Sequence, residues 1–153
     1  MKNIKNILKF NFLLRIFVLY FLFTSESLAE KNSFFSEGKD FFEKKQYKKA
    51  QILFERDIVF NPKNEDSYLY LAKIFNKDEN GEESEINLRN VLLLNPQNDE
   101  ALYLLTLLKI QQSNYEEAKE LMDKFNIVCK SFCPKKSEMN EKFEKIVPEN
   151  EKN

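Results

Sequence analysis

Past residue 30 the chain falls into apolar clusters that return every three or four residues, split by short polar breaks. Tyr68, Leu71, Ala72 and Phe75 make one such stripe; Leu102, Leu105, Thr106 and Leu108 make another. Steps of three and four put side chains on one face of an α-helix, whereas a half-buried strand would alternate. The pattern predicts six helices in three pairs: 33–44 with 48–60, 65–76 with 82–94, and 99–111 with 116–128. Asn64 and Asn98 stand where N-caps belong, and the acidic pairs after them suit the positive end of a helix. Pro62 and Pro96 stop the helices before them. A seventh helix follows residue 132, with Met139, Phe143, Ile146 and Val147 as its apolar positions and Pro148 as its end.

The pairs repeat at a spacing of 34. Asn61-Pro62-Lys63-Asn64 returns as Asn95-Pro96-Gln97-Asn98. Small residues recur at that interval as Gly38, Ala72 and Thr106, and again as Ala50, Ser84 and Ala118. Large ones recur as Phe34, Tyr68 and Leu102, and as Phe54, Leu88 and Met122, while the series Phe41, Phe75 is broken by Lys109. A small side chain lets the two helices of a pair approach closely, and the second small position lets the pair seat on its neighbour. A coiled coil needs heptads sustained over several turns, and here a Pro or polar break interrupts every pair. The fold class expected is therefore all-α, a superhelical solenoid of three helix pairs closed by a C-terminal capping helix. A stack leaves its last apolar face bare, so a half-polar terminal helix is the lid it requires.

The first 29 residues differ in kind. Lys2, Lys5, Lys9 and Arg15 precede the apolar run 16–23, and Ser27 and Ala29 supply small residues two apart. This is the layout of a secretory signal peptide cut after Ala29. The competing reading is a membrane anchor over residues 10–23, although a span needs about 20 apolar residues and this stretch contains Asn11 and Arg15. Glu30, not Cys, follows the cut, which argues against a lipoprotein. The expected address is exported, periplasmic or secreted, with the anchored form as the alternative.

Composition removes whole classes of chemistry. The 153 residues include no His, so Ser-His-Asp and Cys-His catalysis and His-ligated zinc or haem are excluded. Two Gly in the whole chain cannot write a phosphate-binding loop or a dinucleotide fingerprint. Four of the 24 basic and one of the 25 acidic residues lie in 1–29, so the other 124 residues carry net −4. Such a surface has no reason to seek nucleic acid, or a membrane once 1–29 is removed. The acidic turn Asp78-Glu79-Asn80-Gly81 lacks the alternation of a calcium loop and reads as solvated. Cys129 and Cys133 are one residue too far apart for a Cys-x-x-Cys motif. In an exported chain they suit a short disulfide, worth roughly 2 kcal/mol by loop entropy; two buried free thiols are the alternative. No catalytic residue, metal site or cofactor is expected, and the chain is read as a non-enzyme.

With its 34-residue unit and fixed large and small positions, the sequence resembles the tetratricopeptide repeat family. Repeats at 31–64, 65–98 and 99–132 match at Phe34, Gly38, Phe41, Ala50, Phe54 and Pro62, and at Tyr68, Leu71, Ala72, Phe75, Ser84 and Leu88. The third matches at Leu102, Leu105, Ala118 and Met122, and departs at Thr106, Lys109, Phe125 and Lys130. In the first repeat Glu37 and Asp57 depart where Leu and Ala are usual. Residues 133–153 are the capping helix and a polar tail. The resemblance implies a concave face lined by the first helix of each pair. Its inward positions fall on Phe35, Lys39, Phe42 and Glu43, on Leu69, Lys73, Asn76 and Lys77, and on Tyr103, Leu107, Ile110 and Gln111. The resemblance implies that Phe35, Lys39, Phe42, Leu69, Lys73, Asn76, Tyr103, Leu107 and Ile110 bind a protein or peptide partner. The function expected is an exported adaptor or assembly factor, monomeric or weakly self-associating. The alternative is a self-associating structural component of an envelope or secretion complex.

Overall fold

A computed structural model describes residues 33–146. The expectations for 1–29, for an anchor at 10–23, and for Val147, Pro148 and the polar tail lie outside those residues. Six α-helices come in pairs: α1 (Ser33–Glu43) with α2 (Tyr47–Phe60), α3 (Glu65–Lys77) with α4 (Gly81–Leu94), and α5 (Asp99–Gln111) with α6 (Tyr115–Val128). A 3₁₀ turn at Cys133–Lys135 then leads into α7 (Lys136–Ile146). The described residues contain no strand. Every start and stop of the six paired helices lies within a residue of its expected place.

The cadence has a backbone origin. Each pair turns through one left-handed non-glycine residue, Lys45, Glu79 and Ser113, with φ of 58°, 57° and 60°. The next residue closes the turn: the N–H of Gln46, Asn80 and Asn114 donates to the carbonyl of Phe41, Phe75 and Lys109, each at 2.9 Å. This double-bonded C-cap uses up carbonyls that the helix end leaves free. Asn80 and Asn114 then cap α4 and α6, accepting from the N–H of Glu83 and Glu117.

The small residues sit where helices nearly touch. The Ser84 hydroxyl donates to the Ala72 carbonyl at 3.0 Å, joining the two small positions of the second repeat. A Cβ on Gly38 would come within 2.9 Å of the Phe54 ring, and that ring is wholly buried. Only glycine admits this contact. Phe54, Leu71, Ile74 and Ala50 hold the first two repeats together; Leu88, Val91, Leu102, Leu105 and Phe125 hold the second and third.

Two departures from the repeat pattern have local explanations. Asp57 is fully buried, and its Oδ2 accepts from the Ser67 hydroxyl at 2.6 Å and the Asn64 amide at 2.7 Å. Asn64 therefore does not cap α3 as expected, because its side chain is turned toward the carboxylate; Asn98 does cap α5, accepting from the N–H of Ala101 at 2.9 Å. Lys109 is also buried, and it bonds Glu85 at 2.6 Å, Gln112 at 3.1 Å and Glu117 at 3.4 Å. Arg89 bridges the same two glutamates, so one ionic knot ties α4, α5 and α6. Burial pulls the Glu85 carboxyl upward, and the hydrogen bonds from Lys109 and Arg89 outweigh it, leaving its pKa lowered.

Candidate partner-binding face

The first helices lie side by side through their side chains. Phe35 and Phe42 on α1 both reach Tyr70 on α3, with ring centroids 5.9 and 4.9 Å away. Tyr70 also stacks on Phe54 at 5.0 Å, and Phe42 meets Tyr47 edge-on at 5.4 Å. Phe35, Phe42, Tyr47 and Tyr70 all keep part of their surface open. Burial, then the charges of Asp66, Glu100 and Glu43, raise the Tyr70 pKa, so the hydroxyl stays protonated and free to donate. Tyr70 and Tyr47 were not among the expected face residues. Tyr70 follows Leu69 by one, and its aromatic character three residues before Lys73 was the available signal.

The lysines divide. Lys73 Nζ lies 2.6 Å from Glu100 on α5 and 4.9 Å from the Tyr70 ring centroid, so its charge is spent inside the stack. Lys77 lies over Tyr47 at 5.1 Å and Lys39 is exposed; neither has a carboxylate partner among the described residues. Asn76 is exposed at the end of α3, next to an open cleft of about 430 Å³. Leu107 and Ile110 on α5 line that cleft, with Lys142 and Ile146 of α7 as its far wall.

The third repeat is placed differently from expectation. Leu69, Tyr103 and Ile110 are buried and offer no open side chain. For Tyr103 and Ile110 the cause is α7, which lies along α5. Met139 is fully buried against the cluster that holds Tyr103, and Phe143 packs with Ile110. The Tyr103 hydroxyl donates to Glu138 Oε1 at 2.9 Å. Burial, then this hydrogen bond and the Glu138 charge, push the Tyr103 pKa up to about 12. Glu138 is held down to about 2, first by a hydrogen bond from Lys135, then by Lys142 and Tyr103. Ile146, expected on the buried side of the terminal helix, stays exposed at the cleft rim.

The loop before α7 is pinned as well. Cys129 and Cys133 are joined by a disulfide, with Cα atoms 5.2 Å apart. Asp99, at the start of α5, accepts from the N–H of Lys130 at 2.7 Å and of Phe132 at 2.8 Å. Its equivalent 34 residues earlier, Glu65, accepts from Asn95 and Asn98 in the corresponding loop. The Phe132 ring comes to rest 5.8 Å from Tyr103.

The sequence matches no protein-family model and no curated protein. Solved structures do match. The TPR2B domain of yeast Sti1, in its complex with pHsp70, aligns with a TM-score of 0.69 at 17% identity, over 76% of this chain and 98% of that one. The chain has the tetratricopeptide repeat fold. The second TPR domain of human RPAP3, solved with the HSP70 peptide SGPTIEEVD, aligns at 0.65 and 19% identity, over 77% of this chain and 95% of that one. The CopN–Scc3 complex aligns at 0.64 and 17%, over 80% of this chain and 72% of that one. The inner side expected from the resemblance is that of α1, α3 and α5, and the outer side that of α2, α4 and α6.

Proposed function

We propose that this chain is a non-enzymatic protein-interaction module, an exported adaptor or assembly factor that holds a peptide or helix of another protein on its inner face. The observation that carries this is the half-open aromatic patch of Phe35, Phe42, Tyr47 and Tyr70, flanked by the carboxylate-free lysines Lys39 and Lys77 and continued by the cleft at Asn76 and Leu107. Aromatic anchors beside unpaired cations suit a segment with one or two large apolar side chains and acidic neighbours. Solved structures of the same fold include two with Hsp70-derived partners, which supports a role in holding a protein or peptide. Binding extends along the first two repeats and into the cleft, and Tyr103 and Ile110 support it from beneath α7. Export rests on the layout of residues 1–29.

A photo-reactive residue placed at Lys39 or Asn76 in the native host is expected to trap a discrete partner, while one at exposed Lys63, in the turn after α2, is not. Phe42→Ala should remove the adduct and leave helicity intact. An equal adduct from Lys63, or one indifferent to Phe42→Ala, would overturn the assignment. N-terminal sequencing of the same sample is expected to begin at Glu30; a chain that keeps residues 10–23 would replace the exported form by the anchored one.

A further inference from the structure

The outer side carries a row that the cadence itself generates. Val59, Leu93 and Ile127 stand 34 residues apart and are 75%, 80% and 84% exposed. Ile52 and Ile86 extend the row two turns back along α2 and α4 and are also exposed. Beside Leu93 a groove of about 410 Å³ opens between α4 and α6, floored by Leu102 and Leu105. Aliphatic side chains this open, aligned across three helices, form a patch of the kind that marks an interaction surface.

The flanks of the row indicate what covers it. At 100° per residue, the positions four and three before a row residue fall on opposite sides of it. Before Val59 these are Glu55 and Arg56; before Ile127 they are Asp123 and Lys124. The outer helices at the two ends of the stack thus carry the same order, acid on one flank and base on the other. Asp123 and Lys124 have no hydrogen-bond or ion-pair partner among the described residues.

We propose that this row is the interface of a homodimer, closed by a two-fold axis that passes beside Leu93 and runs parallel to the helices. The two stacks then run in opposite directions. Leu93 meets the partner's Leu93, and Val59 meets the partner's Ile127. Between parallel facing helices the opposite flanks adjoin, as in a parallel coiled coil. Glu55 therefore meets the partner's Lys124, and Arg56 the partner's Asp123. A two-fold along the row would instead set acidic flank against acidic flank. Two convex faces touch along a strip smaller than the roughly 800 Å² per partner of a standard interface, so the dimer is a weak, concentration-dependent one. The dimer leaves both inner faces pointing outward, and a partner assembly presenting two copies of its segment gains by avidity. The interface shares no residue with the proposed partner-binding face, so either can fail without the other.

Sedimentation velocity of the full chain, purified from a host that exports it and run from about 10 μM to 1 mM, tests this. The weight-average mass should climb toward the dimer. Leu93→Glu, at a largely exposed position, should hold it at the monomer with unchanged helicity. Lys124→Glu should weaken pairing roughly tenfold, and adding Glu55→Lys should restore it. A monomer at every concentration, an unaffected Leu93→Glu variant or a failed charge-swap rescue would each overturn the proposal. So would a monomer whose Leu93 is shielded in hydroxyl-radical footprinting, since the chain's own residues 10–23 would then cover the row. Phosphatidylcholine vesicles that pull down the monomer in a Leu93-dependent way would assign the row to a bilayer instead.

Discussion

The first and third repeats place the same backbone around different chemistry. In the first, Phe41 occupies a position that Phe75 repeats, and glycine at residue 38 lets the buried Phe54 ring press against the helix. In the third, the corresponding places hold Lys109, whose ammonium is buried among Glu85, Glu117 and Gln112, and Thr106, whose hydroxyl donates to the Leu102 carbonyl. The inner face differs in parallel: aromatic and open on α1, covered by α7 on α5. The lesson is that the turn and the helix lengths set the repeat, while the side chains at its junctions are negotiable so long as each buried charged group finds a partner; Asp57 is answered at Oδ2, although its Oδ1 has no hydrogen bond. The third repeat is followed by α7, and it spends inner-face residues on holding that helix.

The largest expected effect comes from breaking the polar junction. Lys109→Ala should cost about 3 kcal/mol, because it removes a buried side chain and leaves its space empty beside two carboxylates. Lys109→Met, which fills the space without charge, should stay within about 1 kcal/mol of the parent, since Arg89 still holds both glutamates. Urea unfolding with an unchanged m-value reads both. Equal losses for the two variants would mean that the ionic knot, rather than the filled volume, carries the junction.

On the aromatic side, Gly38→Val should cost about 2 kcal/mol by forcing the immobile Phe54 ring aside. Gly81→Ala is the control, because its new Cβ would meet only flexible side-chain ends, Leu108 at 3.3 Å and Gln112 at 3.7 Å. It should change stability by less than about 0.5 kcal/mol. If both glycines tolerate substitution equally, close helix approach is not what residue 38 provides.

The smallest effect concerns the lid. Glu138 falls from an ordinary 4.5 to about 2 in the folded chain. A carboxyl depressed on folding contributes fully above its unfolded value and loses that contribution as pH falls through the folded one. Docking of α7 should therefore loosen between about pH 4.5 and 2, read as faster amide exchange at Met139–Phe143 relative to α3. Glu138→Gln should show the looser α7 already at neutral pH, with little further change on acidification. An acid response that survives in Glu138→Gln would place the switch on another carboxylate.

Most of the architecture was legible from the letters. Helical periodicity, the Asn-Pro breaks and the recurring small residues are local signals, and they locate all six paired helices. Helix formation and capping depend on near neighbours in sequence, so a linear pattern can report them. The binding face was legible only as a register. Positions told which residues point inward, such as Phe35, Phe42 and Asn76. They did not tell that Lys73 is neutralised by Glu100, that Tyr70 joins the aromatic patch, or that α7 covers Tyr103 and Ile110. Those outcomes are contacts between residues about 27 to 35 apart, chosen by packing.

By itself, then, the sequence determined the helices, their pairing and the 34-residue step, because these follow from periodicity and local turn chemistry. Tertiary structure decided which inward residues remain open, how buried Asp57 and Lys109 are answered, and that the outer row of Val59, Leu93 and Ile127 stands free. Burial and ion pairing depend on what arrives from elsewhere in the chain, and only the assembled stack brings those groups together.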